Sequence, residues 1–283
     1  MHPILENGAR FIWASARLLE QKVFAYHFCG AAGDEVIAAL AAYQNADGGL
    51  GHALEADVRA PASQPLFAEF GLKLLYDHRL RAPALTARVC DFLATISDLQ
   101  RGLPALLPSA FGYPLAGHWK QPGADAFSMS RLAAVVGPAC WQGIEHPWLE
   151  QAARVCADFL RNQPLRDAHL IQNAFCLAES RPEPGLFEKL ADDLSRADFF
   201  IHSLPITGYG LNPLHFAPAP QSYCRRLFSQ EQVDGFLDDL ISRQAPDGGW
   251  GISWEPPDGA ALLEWRGYTT VNALVTLRAY SRI

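Results

Sequence analysis

The chain has 283 residues, 49% hydrophobic and 19% charged, with a net charge of −7 and a pI near 5.7. That composition supplies a large core and excludes a disordered chain. The acidic balance and the lack of a basic stripe argue against a nucleic-acid partner, and no run reaches the roughly 18 apolar residues of a membrane span.

Hydrophobic periodicity predicts helices along the whole chain. The first covers 8–28 and is followed by a short break at 30–33. Asp34 is expected to cap the next helix, which carries Val36, Ile37, Leu40 and Ala41 on one face. That helix runs into Gln44-Asn45-Ala46-Asp47-Gly48-Gly49-Leu50-Gly51. Paired glycines stop a helix because Gly takes the left-handed conformation without a Cβ penalty. A loop, 52–65, leads to a helix with Leu66, Phe67, Phe70, Leu74 and Leu75, and Pro83 opens another. Residues 99–123 are rich in Gly, Pro and aromatics. Helices resume over 125–137, 147–162, 166–180 and 185–196. A second irregular stretch covers 199–222, and the last helices, 229–243 and 267–281, flank a loop at 252–266. Period-2 alternation is absent, so no strand is expected. The N-terminus lacks a secretory layout. Six scattered cysteines without a Cys-x-x-Cys read as reduced core thiols of a cytoplasmic protein.

The Gly-Gly turn occurs twice. Gln244-Ala245-Pro246-Asp247-Gly248-Gly249-Trp250-Gly251 repeats the first copy at an offset of 200 residues, and the helix before it matches as well, with Ile37, Leu40 and Ala41 at Leu237, Leu240 and Ile241. Self-similarity of this kind marks a repeat architecture. In each copy the glutamine is placed to tie the helix end to a neighbouring hairpin.

These segments resemble the glutamine–tryptophan repeats of squalene–hopene cyclases and related class II terpene cyclases, a fold shared with protein prenyltransferase β-subunits. The chain also resembles short bacterial proteins of prenyltransferase-like kind. The resemblance implies an all-α single domain over 1–283, an α/α toroid of about five or six helical hairpins. The functional signatures of those enzymes do not accompany it. There is no Asp-x-Asp-Asp, no Asp-Asp-x-x-Asp/Glu, no Asp-x-Cys and no Gly-Cys-Gly-Glu-Gln. Asp192-Asp193 and Asp238-Asp239 are adjacent pairs on amphipathic helices. The scaffold therefore leaves the reaction open.

Candidate chemistry lies just downstream of each turn. The first loop gathers His52, Glu55, Asp57, Arg59, Ser63 and Gln64, and the second carries Trp254, Glu255, Asp258, Glu264, Trp265, Arg266 and Tyr268. Asp57 is the candidate general acid, since a carboxyl in an apolar cavity stays protonated near neutral pH; Glu55 and Glu264 are the other candidate carboxylates. Trp119, Tyr209, Trp254, Trp265 and Tyr268 can line a cavity and stabilise cationic intermediates. His52, Arg59, Gln64 and Arg266 complete the expected substrate contacts. An ion pair of Arg59 with Glu55 or Asp57 that merely pins the loop is the plainer alternative. No second His lies near His52 and Glu55, so no metal is expected, and magnesium enters only for a diphosphate substrate.

Three functions follow as expectations. The first is acid-initiated carbocation chemistry on an apolar isoprenoid. The second is a carbohydrate-active hydrolase or lyase using Asp57 with Glu264. The third is a non-catalytic toroid that binds a lipid or a protein.

Overall fold

The computed structural model describes residues 2–283, and the chain is all-α. Among the described residues twelve helices follow one another: α1 (Pro3–Ser15), α2 (Leu18–Phe28), α3 (Gly33–Ala41), α4 (Pro65–Asp77), α5 (Pro83–Ile96), α6 (Met129–Trp141), α7 (Pro147–Asn162), α8 (Ala168–Ser180), α9 (Leu186–Ser195), α10 (Pro213–Phe216), α11 (Gln230–Ser242) and α12 (Gly259–Ala279). Among the described residues there are isolated bridges but no strand, and no helix is long and apolar enough to cross a membrane. The chain divides into two compact units, one of residues 1–39 with 199–283 and one of residues 40–198.

In the 40–198 unit, α4, α6 and α8 pack side by side, and α5, α7 and α9 form a second row. Prolines at the first turns of α4, α5 and α7 fix where those helices begin. The α6–α8 contact is close because α6 offers Ala133, Ala134, Gly137 and Ala139, all buried. A Cβ on Gly137 would stand 2.5 Å from the Asn173 carbonyl oxygen. In the other unit, α1 packs on α12 and α2, and α12 also packs on α2. Gly8 meets Leu274 there, where an added Cβ would come within 2.8 Å.

Both Gly-Gly turns make the same clasp. Gln44 Nε2 donates to the Gly48 carbonyl at 2.8 Å and to the Leu85 carbonyl, in the first turn of α5, at 3.1 Å. Gln244 Nε2 donates to the Gly248 carbonyl at 2.9 Å and to the Ile4 carbonyl, in the first turn of α1, at 2.9 Å. Asp47 and Asp247 each accept the amide two residues on. Gly48 and Gly248 sit at φ +89 and +92, their α-carbons pressed against the Arg88 and Asn7 carbonyls. The second clasp thus grips the N-terminal helix in the way the first grips α5.

The structure corrects several boundaries. The expected helix over 8–28 is two helices, broken at Ala16 and Arg17, both extended. The break brings Ala16 against Gly267 of α12 and lets Arg17 reach Glu20, which is 2% exposed, at 2.6 Å. Asp34 lies inside the first turn of α3 and is not its cap. α6 begins at Met129 and continues through Pro138 to Trp141. An interior proline costs about 3 kcal/mol in an isolated helix, and the buried packing of α6 outweighs it. α12 starts at Gly259, capped by Asp258, whose side chain accepts the Ala261 amide at 2.8 Å. Glu264, Trp265 and Arg266 are therefore helical residues and not loop residues. All six cysteines are free, and Cys29 is exposed where a core position was expected.

Candidate active site

The loop after the first turn doubles back on itself. His52 and Ala53 both sit at φ +56, a conformation that costs about 1–2 kcal/mol for a residue with a Cβ. The reversal is held by His52 N–H to the Pro61 carbonyl and Ala53 N–H to the Ala60 carbonyl, each 3.0 Å. It leaves His52 exposed. Leu54, Ala56, Val58 and Ala60 are buried, and beside them Glu55 and Asp57 are buried too, at 7% and 3% exposure. Glu55 Oε2 accepts the Asp57 amide at 3.0 Å, so this carboxylate braces the loop. Gln64 does the same: its Nε2 donates to Ser109 Oγ at 2.9 Å and its Oε1 accepts the Leu107 amide at 2.7 Å.

Backbone pairing then sets the key juxtaposition. Val58 bridges Leu115, with Arg59 N–H donating to the Pro114 carbonyl at 3.0 Å and Ala116 N–H to the Asp57 carbonyl at 2.9 Å. The chain turns into a 3₁₀ segment at Gly117–Lys120. His118 Nε2 comes to rest 3.5 Å from Asp57 Oδ2. The His118 ring is half-exposed, and its pKa lies below the usual 6.5: burial lowers it, Asp57 opposes, and Arg131 and His169 push it further down. His118 is thus neutral at pH 7, linking a buried carboxyl to solvent.

Next to this pair opens a cavity of about 300 Å³, lined by His118, Trp119, Gln121, Ser128 and Arg131 among others. Its size falls at the small end of ligand pockets. Arg131, in the first turn of α6, lies 5.4 Å from the centre of the Trp119 ring and 3.3 Å from Glu69 Oε2. Glu69 Oε1 accepts from Asn173 Nδ2 at 2.8 Å. At the start of α8, His169 Nδ1 lies 3.1 Å from Asp167 Oδ1.

The remaining expected residues belong to the other unit. Tyr209, Trp254, Trp265 and Tyr268 form a chain of edge-to-face rings, with centroids 5.5, 5.1 and 5.6 Å apart. Phe199 extends it at 5.9 Å from Tyr209. Glu264 lies 3.5 Å from Arg17. Arg266 is drawn into the second clasp. It donates to Asp247 at 2.7 Å and stacks 4.5 Å from the centre of the Phe11 ring.

Sequence reasoning singled out Asp57 and Trp119 but passed over His118, Arg131 and Glu69. The one available signal was His118 beside Trp119 inside the long Gly/Pro-rich stretch. Among the described residues no cluster of His, Cys, Asp and Glu is suited to hold a metal ion. No protein-family model matches the chain, and no curated protein matches it.

Proposed function

We propose that this chain is an acid–base enzyme of terpenoid-cyclase type, built from toroid-like helical hairpins, in which Asp57 protonates a compact isoprenoid substrate. The observation that carries this reading is the buried Asp57 carboxyl with half-exposed His118 3.5 Å away at the wall of a cavity. The two rows of helices in the 40–198 unit and the recurring clasp support the scaffold.

The chemistry balances without a co-reactant. The Asp57 O–H gives its proton to an alkene carbon. The π pair forms the new C–H bond and leaves a carbocation and a carboxylate. Loss of a proton from a neighbouring carbon re-forms an alkene, and His118 takes that proton and returns it to Asp57. The net change is isomerisation or cyclisation. Neutral His118 suits the accepting role. The sugar-cleaving alternative needs Glu264 as partner, and Glu264 is engaged with Arg17, so no observation favours it.

The test is incubation with geranyl diphosphate, farnesyl diphosphate, squalene and the C10 alkene myrcene, with products read by gas chromatography and mass spectrometry. Wild type should form product, and Asp57→Asn should form it at least about 10²-fold more slowly. No product from any isoprenoid, or equal product from the variant, sinks the proposal.

A further inference from the structure

The cavity wall carries donors that the protein does not satisfy. Trp119 lines the cavity, and its indole N–H, closed off from solvent, has no acceptor among the described residues. The other buried indoles differ: Trp148 Nε1 donates to Ser97 Oγ at 2.7 Å, and Trp250 Nε1 to the Leu240 carbonyl at 2.8 Å. Buried donors are rarely left unpaired, and such an orphan marks a place where a ligand atom belongs. Two further donors stand beside it. Arg131 uses Nη1 on Glu69, and the guanidinium carries more N–H groups than that contact engages. Ser128, which also lines the cavity, precedes α6 without capping it through its side chain, and the first amides of a helix have no partner within the helix.

These donors call for an acceptor oxygen, and the neighbouring charges say which kind. Glu69 lies against Arg131 and balances its charge, while His118, which lines the cavity, stands 3.5 Å from the buried Asp57. An anionic group entering here would meet a guanidinium already neutralised by the Glu69 carboxylate. A neutral carbonyl oxygen would meet only donors. We infer that the substrate is a compact, neutral carbonyl compound whose oxygen is taken by Trp119 Nε1 and Arg131, with its carbon skeleton towards Asp57 and His118. This rests on the Asp57 reading and narrows it from isoprenoid hydrocarbons to a small oxygenated molecule of a size, about C10, that a cavity of about 300 Å³ admits.

The experiment follows indole N–H resonances of ¹⁵N-labelled protein during titration with the C10 ketone menthone and with p-menthane, the hydrocarbon of the same skeleton. The Trp119 resonance is assigned by its loss in Trp119→Phe, or by triple-resonance spectra if that variant does not fold. Menthone should move the Trp119 resonance downfield, leave those of Trp148 and Trp250 in place, and bind about tenfold more weakly to Trp119→Phe. p-Menthane should move none of them and bind both proteins alike. An unmoved Trp119 resonance at saturating menthone, equal weakening of both ligands in the variant, or no menthone binding overturns the inference. The two readings fail separately. A menthone-induced shift without isoprenoid turnover sinks Asp57 catalysis and keeps the carbonyl site. Turnover by wild type, lost in Asp57→Asn, with an unmoved resonance does the reverse.

Discussion

The clasp makes a quantitative claim at Gly248. This residue sits at φ +92, and an added Cβ would stand 2.2 Å from the Asn7 carbonyl oxygen and 2.6 Å from its carbon. The left-handed conformation alone costs about 1–2 kcal/mol for alanine. The overlap is with backbone, so no side-chain rotation relieves it. The turn must lift from α1, which breaks the 2.9 Å bond from Gln244 to the Ile4 carbonyl, a further ~1 kcal/mol. Gly248→Ala should therefore lose about 3 kcal/mol, a large share of the ~5–15 kcal/mol of a typical domain. At about 2–4 °C per kcal/mol the melting temperature should fall by about 6–12 °C. The built-in control is three residues away. A Cβ on Gly251 meets nothing within 4 Å, so Gly251→Ala should stay within about 0.5 kcal/mol of wild type. The first copy reverses this: a Cβ on Gly51 would lie 2.3 Å from the Pro61 carbonyl oxygen, so Gly51→Ala should be severe where Gly251→Ala is mild. Thermal unfolding followed by circular dichroism decides. Equal melting temperatures for Gly248→Ala and Gly251→Ala would refute the clasp.

His118→Gln should slow turnover by about 10²-fold. In wild type the acid limb of the pH–rate profile should lie below the 6.5 of free imidazole, because burial lowers the His118 pKa; a limb above 6.5 contradicts the assignment. His78, 5% exposed, is pushed down to about 4 by burial and by Lys73. The unfolded chain takes up that proton below about 6.5 and the folded chain only below about 4, so stability is full above 6.5 and falls by about 3 kcal/mol as pH drops through this window. Urea midpoints at pH 7 and 4.5 should differ less in His78→Gln than in wild type. Arg17→Ala leaves buried Glu20 without its 2.6 Å partner and should cost about 3–5 kcal/mol. The double variant Arg17→Ala/Glu20→Leu should recover more than half of that in the same urea titration.

The helices were legible where punctuation and periodicity agreed. Pro65, Pro83 and Pro147 stand at the first turns of their helices, and of the stripe Leu149, Ala152, Ala153, Cys156, Phe159 and Leu160 all are buried except Phe159, which is half-buried. The misses share a cause: tertiary contact overrode a local rule. Nothing in the apolar pattern over 8–28 shows the break at Ala16, because the break answers the approach of Gly267 from α12. Pro138 suggests a stop, and α6 continues because its small residues are pinned against α8. The start of α12 was hidden differently. Gly259 follows Asp258 and reads as a turn, yet Asp258 is a sound cap that the sequence did contain.

The site divides along the same line. The Gly-Gly turns could be read because each demand is local: a left-handed residue, an aspartate two residues before the amide it accepts, and a glutamine that reaches out. Asp57 and His118 could not be paired by reading, because their meeting depends on how two irregular segments register. The Val58–Leu115 bridge and its two flanking bonds set that register through backbone atoms alone, which leave no residue-type signature. The side chains around it, Leu54, Ala56 and Val58, are ordinary core residues. The turn constrains the site indirectly. By fixing where Gly51 leaves the clasp, it fixes where the reversal at His52 and Ala53 begins, and so which face of the 52–65 loop carries Asp57 inward. Strain held at two consecutive residues by the clasp on one side and the Pro61 and Ala60 carbonyls on the other is a costly way to build a mere connection. It is a reasonable way to hold one carboxyl against one imidazole, since a shift of the bridge by a single residue would turn Asp57 to the opposite face.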